Sequence, residues 1–458
     1  KAQREPQDAA YARAQDAIAT ARTSDASDLT LSGDDFSDLT ELPPDIGTLT
    51  ALTDLSLSGT QISDLSPLLS LTQLADAPEL GGLAFKNTAA AQADPRIAEI
   101  ADACAAAGIS RPLLVTDKGL AGLPITQRTR DLMAAGGLGD ALFADVDPNP
   151  NEINLASGVD AYLAGGHDGV IAFGGGSGLD LGKMVAFMAG QTRPVWDFED
   201  IGDWWTRADA SAIAPIIAVP TTAGTGSEVG RASVITNSVS HVKKIIFHPK
   251  VLPTVVICDP ELTVGMPDFI TAGTGLDAFA HCVEAYSSPH YHPMSQGIAL
   301  EGMRLVIENL PRAYRAGDDL VARANMMSAA MMGATAFQKG LGAIHALSHP
   351  VGAVYNTHHG TTNAVCMPAV LALNAAEIRA RFDTAAPYLG IEGGFDGFCD
   401  FVQRFNDSFA IPRRLGDMGV GNDRIEELVE MALADPSCGG NPVPLSSNNL
   451  QELFSAVI

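Results

Sequence analysis

The chain has 458 residues, 46% of them hydrophobic, which supplies a sizeable core for about two or three domains. Its 28 Lys and Arg stand against 54 Asp and Glu, and the resulting formal net charge of −26 repels nucleic acid and anionic membrane surfaces, so neither is an expected partner. No apolar run reaches the roughly 18 to 20 residues that cross a bilayer, the opening KAQREPQDAAYARAQDA lacks the apolar core of a secretory signal, and six scattered cysteines without a CxxC pair suit reduced thiols; the expected setting is cytoplasmic.

In chain order, residues 1 to 27 are rich in Ala, Gln and Asp and read as a polar helix or arm. From Leu29 to Leu74 the leucines take a different rhythm, seen in LTALTDLSLSGTQISDLSPLLSLTQL, which resembles leucine-rich repeats. Leu29-x-Leu31 and Leu55-x-Leu57 are candidate equivalent strands. They make only about two repeats, fewer than the three or so a free-standing solenoid needs. Residues 1–78 therefore read as an appendage without chemistry, with a partner-binding module as the alternative.

Past Pro78 the pattern changes again. RPLLVTD (111–117), GVIAFGG (169–175), IAPIIAVP (213–220) and PTVVICD (253–259) are short, apolar and bounded by Gly, Pro or Asp, as buried parallel strands are. They predict an α/β domain over 79–265. After Gly265 such runs stop, and stretches such as MSQGIALEGMRLVIENL and ARANMMSAAMMGATAFQ carry helical spacing, predicting an all-helical domain over 266–458.

The α/β half places its chemistry at strand ends. GGGSGLD (Gly174 to Asp180) joins an apolar run to a helical one, so backbone can approach a pyrophosphate and a helix N-terminus can face it. PTTAGTGSE (Pro220 to Glu228) presents Thr221, Thr222 and Thr225, whose hydroxyls can bond cofactor oxygens without adding charge; an ordinary polar turn is the bland alternative for either loop. Asp117, ending RPLLVTD, can accept from both hydroxyls of an adenine ribose and would repel a 2′-phosphate, which favours NAD over NADP; its alternative is a turn residue or helix cap.

The helical half carries the stronger signal. In GLDAFAHCVEAY, Asp277 and His281 stand four apart, so both side chains leave one helix face. GLGAIHALSHPVGAVYNTHHGTTNA adds His345 and His349, also four apart, and then His358 and His359, so five of the ten histidines fall in two segments. Histidines clustered among apolar residues need a metal or hydrogen bonds to satisfy them. One carboxylate and three imidazoles form a set of O and N donors without thiolate, and an ion left one open position polarises a substrate oxygen.

GGGSGLDLGK, AVPTTAGTGSE, DPELTVGMP, GLDAFAHCVEAY, KGLGAIHALSHPVGAVYNTHHG and DPSCGGNPVPL stand in an order and spacing that resembles the iron-containing alcohol dehydrogenase family over about residues 95 to 458. The resemblance implies an N-terminal α/β dinucleotide-binding domain, a helical metal-binding catalytic domain, and a hydride passed between NAD and a small alcohol or aldehyde. It implies metal ligation by Asp277, His281, His345 and His359, with Fe2+ as the ion and Zn2+ as its alternative, and His349 as a proton relay near the nicotinamide. It implies cofactor contacts from Asp117, from Gly175, Gly176 and Ser177 with Asp180 in the same turn, from Thr221, Thr222 and Thr225, and from Lys243, beside which Lys244 leaves the register open by one. A homodimer is implied as well. The rival readings are a zinc-dependent glycerol-dehydrogenase or dehydroquinate-synthase-like relative, and an inactive scaffold carrying an interaction module. One departure stands out: where the family opens its cofactor domain with a strand and a glycine-rich turn, this chain reads LAFKNTAAAQADP.

Overall fold

Each of the four apolar runs in the α/β half forms a strand, because successive side chains alternate between two buried faces of one sheet. The structure, a computed structural model, describes residues 4–24, 26, 28–31, 34–49, 54–56, 62, 83–84, 96–240 and 242–458. The chain divides into two compact units, residues 1–95 and 96–458.

In the first unit, helix α1 (Arg4–Ser24) has one apolar face made by Ala10, Ala14, Ile18 and Ala21, three or four residues apart. That face shares a core with Leu29, Leu31, Leu39, Leu42, Ile46, Leu49, Leu55 and Ile62. The short strands β1 (Asp28–Thr30), β2 (Asp54–Ser56) and β3 (Leu83–Ala84) lie side by side in parallel. Leu29 stands opposite Leu55, and Leu55 opposite Leu83. The two leucine stretches read as equivalent are thus neighbours in one sheet. Leu57 and residues 63–82, with the rest of the leucine rhythm, lie outside the described residues. So does most of LAFKNTAAAQADP, whose first two residues are β3.

The second unit opens with α2 (Ile100–Ala106), β4 (Pro112–Val115), α3 (Pro124–Ala135), β5 (Leu142–Phe143), α4 (Glu152–Gly165), β6 (Gly169–Gly174), α5 (Gly176–Met188) and β7 (Ile216–Pro220). There follow β8 (Ala232–Thr236), β9 (Lys243–Phe247) and β10 (Val255–Val256). The sheet is wholly parallel in the order β10-β7-β6-β4-β5. Val115, Val170, Ala172, Ile216 and Ala218 pack on one face with residues of α5, while Leu114, Ile171, Phe173, Ile217 and Val219 pack on the other with residues of α2 and α3. Strand β5 and the antiparallel pair β8–β9 were not expected from sequence. The first is only two residues long, and the second is half-exposed and mixed in polarity.

Among the described residues no strand follows β10. The chain continues as α6 (Asp268–Ser287), α7 (Pro293–Arg315), α8 (Leu320–Ala336), α9 (Ala343–Tyr355), α10 (His359–Tyr388), α11 (Gly394–Asp407), α12 (Ile425–Leu433) and α13 (Ser447–Val457). From Thr271 to Ser287 every residue of α6 is buried, so this helix forms the centre of the helical part.

Because the sheet is parallel, β4, β6 and β7 end on the same side, and the segments after them share one crest. There Gly174 pairs with Pro220, and the Thr221 amide donates to the Gly174 carbonyl at 2.9 Å. Glycine lets α5 lie close on β6: a Cβ at Gly182 would stand 2.6 Å from that of Ala172. Gly182→Ala should therefore overpack this contact and cost about 1–3 kcal/mol. Urea unfolding checks it, and an unchanged midpoint would count against the close fit.

Candidate metal and cofactor site

Three helices bring the acidic and imidazole side chains together. Asp277, His281 and Glu284 leave one face of α6, His345 and His349 stand one turn apart on α9, and His359 opens α10 with Asn363 one turn further on. The break between α9 and α10 makes the convergence available. Asn356 takes the left-handed conformation at φ 54°, and His358 caps α10 by accepting from the Thr361 amide. His358, which is not among the ligands the resemblance implies, is thus a helix cap, and its neighbour His359 turns inward.

The Asp277 Oδ1 lies 3.8 Å from His281 Nε2, 3.8 Å from His345 Nε2 and 3.5 Å from His359 Nε2. The donor atoms of Asp277, His345 and His359 all lie within 4.8 Å of one another. His281 stands outside that trio, yet reaches the same carboxylate oxygen and stacks on His345 with ring centres 4.8 Å apart. An ion about 2.0–2.2 Å from each donor sets neighbouring donors roughly 3.0–3.6 Å apart, and the 3.5–3.8 Å separations from Asp277 Oδ1 are close to that spacing.

Electrostatics agree with the geometry. Burial pushes His281 down to about 4, against the pull of Asp277, and burial with the neighbouring imidazoles holds His359 well below the usual range. Both therefore offer a lone pair. Burial acts the same way on His345, but the carboxylates of Glu284, Asp277 and Asp435 outweigh it and raise its pKa. Two buried polar atoms here, His281 Nδ1 and Asn363 Oδ1, make no hydrogen bond of good geometry.

Glu284, Asp435 and Asn363 are the residues that sequence reasoning passed over. Glu284 Oε2 lies 2.5 Å from His345 Nδ1, and its other oxygen accepts from the Ile344 amide at 2.6 Å. Asp435 Oδ2 lies 2.7 Å from His349 Nδ1. Glu284 could have been found seven residues after Asp277, on the same helical face; Asp435 had no signal beyond opening the motif DPSCGGNPVPL.

Across from the trio, Gly175 and Gly176 open α5 against the threonine loop. A Cβ at Gly175 would come within 3.2 Å of Thr222, and one at Gly176 within 2.8 Å of Thr225. Backbone amides at the start of α5 remain available to an anion. The Ser177 hydroxyl donates to the Pro148 carbonyl at 2.6 Å. Thr221 is buried. Asp180 is turned inward, where it accepts from Ser227 Oγ at 2.5 Å and the Val234 amide at 2.9 Å. Asp117 uses Oδ1 to accept from the Gly119 and Leu120 amides, while Oδ2 lies toward Gly174. On β9 alternation separates the two lysines. Lys244 pairs with Glu199 at 2.5 Å, whereas Lys243 lies near Gly352 of α9, in the field of Asp180, Asp277 and Asp435.

A parallel sheet with a glycine turn at its crest, facing a buried carboxylate among imidazoles, defines a metal-dependent dehydrogenase. Residues 88–260 match the family described as iron-containing alcohol dehydrogenase, and residues 271–458 its C-terminal part. A 4-hydroxybutyrate dehydrogenase of Cupriavidus necator is 41% identical over 361 residues, covering 77% of this chain and 93% of its own. An NAD-dependent methanol dehydrogenase of Bacillus methanolicus is 34% identical, covering 73% and 89%. A crystal structure of 1,3-propanediol oxidoreductase superposes with a TM-score of 0.75 at 33% identity, covering 79% and 96%. The chain belongs to the iron-containing alcohol dehydrogenase family. It is a metal-dependent, NAD-linked alcohol dehydrogenase, and no helix among the described residues is long and apolar enough to cross a membrane.

The loop beneath the crest carries a pH signature. Glu228 is buried, which raises its pKa from 4.5 to about 7 although the Lys183 ammonium pulls it down. A carboxyl raised in the folded state stabilises below its unfolded pKa, and that contribution is lost as pH rises through 7. Glu228→Gln should accordingly flatten the fall in stability between pH 4.5 and 7. Urea unfolding at pH 5 and pH 8 measures it, and a pH dependence identical to the parent would sink the assignment.

Proposed function

We propose that residues 79–265 bind NAD and residues 266–458 hold a divalent ion, Fe2+ or Zn2+, through Asp277, His281, His345 and His359. The observation that carries this reading is the meeting of the Asp277, His345 and His359 donor atoms within 4.8 Å. Such an ion would supply Lewis-acid polarisation of an alcohol or aldehyde oxygen, and bound NAD would supply the hydride acceptor or donor. Relatives named for 4-hydroxybutyrate, methanol and 1,3-propanediol favour a small primary alcohol as substrate.

The chain's own residues prepare that chemistry. Glu284 holds the Nδ1 side of His345, which leaves Nε2 to face the ion. Asp435 does the same for His349, whose free Nε2 accepts the alcohol proton and passes it to solvent. Amides of Gly175, Gly176 and Ser177 take the pyrophosphate, and Thr221, Thr222 and Thr225 line the nicotinamide side. Asp117 Oδ2 takes the ribose, Lys243 assists from β9, and Asp180 braces the threonine loop from within. Beyond the site, the reading includes a homodimer, a cytoplasmic setting and a protein partner for the leucine-rich N-terminal unit.

His345→Ala should lose both bound metal and activity while NAD binding persists. Metal analysis and NAD titration test it, and full metal occupancy in the variant would refute the ligand assignment. Asp117→Gly should relax the preference for NAD over NADP; an unchanged ratio of kcat/KM for the two cofactors would remove Asp117 from the ribose site.

A further inference from the structure

Helix α9, which carries His345 and His349, opens at Gly342, a residue with no side chain to cap it, so its first amides need acceptors from elsewhere. Asn441 Oδ1 accepts from the Ala343 amide at 3.1 Å, and Glu284 Oε1 accepts from the Ile344 amide at 2.6 Å. Glycine makes room for both. A Cβ at Gly342 would stand 2.9 Å from Asn441 Oδ1 and 3.2 Å from Glu284 Oε1.

Asn441 lies in the motif DPSCGGNPVPL, six residues after Asp435, and is buried. Its own amide is fully engaged. Nδ2 donates to Asn374 Oδ1 at 2.9 Å and to the Val443 carbonyl at 2.7 Å, while Oδ1 also accepts from Asn374 Nδ2 at 2.9 Å. The same segment is pressed on the chain just before α9, where a Cβ at Gly440 would run into the Leu341 carbonyl. One short segment therefore holds α9 at two places, Asn441 at its first amide and Asp435 at His349.

What this controls is rotation. Amides of successive helical residues lie about 100° apart around the axis, so acceptors on Ala343 and Ile344 fix the turn of α9 as well as its position. An imidazole tip lies roughly 5–6 Å from that axis, and a turn of about 20° would carry it about 2 Å. Metal–donor distances tolerate only about 0.2 Å.

We infer that Asn441 is a positioning residue: its carboxamide oxygen caps α9 and so sets the rotation that presents His345 and His349 to the site. This rests on the ligand set proposed above, to which it adds a neutral side chain that touches no candidate ligand side chain.

The test loads the full-length protein with Co2+ and measures its equilibrium loss to a chromophoric chelator. Asn441→Leu removes the acceptor at similar volume, while Asn441→Asp keeps an oxygen for the Ala343 amide. Asn441→Leu should bind Co2+ about tenfold more weakly, as loss of a ligand's supporting partner does. Its visible Co2+ spectrum should also change, with NAD affinity unaltered. Asn441→Asp should bind Co2+ more tightly than the leucine variant and recover the parent spectrum. Ser446→Ala, which deletes the cap of α13, controls for the loss of a cap as such and should leave Co2+ affinity at the parent value. Co2+ affinity within about twofold of the parent in Asn441→Leu overturns the inference. So does an aspartate variant that binds no more tightly than the leucine one, or a loss in Ser446→Ala as large as in Asn441→Leu. Where the leucine variant fails to fold, Gly342→Ala decides, because its methyl group pushes the acceptors off α9; parent-like Co2+ affinity there overturns the inference too. His345→Ala in parallel separates the two levels: Co2+ retained there sinks the ligand set itself, whereas Co2+ lost there and kept in Asn441→Leu sinks only the role of Asn441.

Discussion

A carboxylate and three imidazoles crowd together, with Asp277, His281 and His345 buried and His359 partly exposed, and burying such groups without partners costs several kcal/mol each. The architecture of the second unit answers to that constraint. Asp277 and His281 lie on the helix buried on every side, so neither can escape to solvent, and each outer partner is itself held. Glu284 accepts from the Ile344 amide as well as facing His345, and Asp435 accepts from Ser437 as well as facing His349. The C-terminal end of α6 is fastened too. Lys339 donates to the carbonyls of Ala285 and Ser288, and Arg381 to that of Ser287, so two cations neutralise the negative end of the helix that carries Asp277.

The other wall of the site is made of backbone and small residues. Gly224 of the threonine loop lies against the Thr274 carbonyl, at 2.7 Å from where its Cβ would be, and Gly226 against Ala334. Side chains at either position would part the strand crest from the helices. Absence of side-chain bulk there lets the threonine loop lie directly against α6 and α8. The asymmetry is chemical as well as geometric: one wall offers amides and hydroxyls, the other a carboxylate and imidazoles. The first unit, residues 1–95, has its own core of leucine, isoleucine and alanine, and none of the candidate site residues falls in it.

Much of this could be read along the chain. Strands β4, β6, β7 and β10 were legible because burial on both faces makes a continuous apolar run, and the site segments because glycine turns and four-residue spacings are local properties. The pairs Asp277 with His281 and His345 with His349 each follow from one helical turn. Strand β5 was too short to show a pattern, and β8–β9 too mixed.

What the sequence determined unaided was which side chains share a helix face or a strand end, since these depend on repeats of 3.6 and 2 residues along one segment. Tertiary structure alone decided which faces meet. It directed Glu284 to His345, Asp435 to His349 and Asn363 to three donors at once, turned Asp180 inward, and gave Lys243 the cleft while Lys244 went to Glu199. Those contacts join segments up to 86 residues apart, as in Asn363 with Asp277, and they are set by how helices and strands pack rather than by any local spacing.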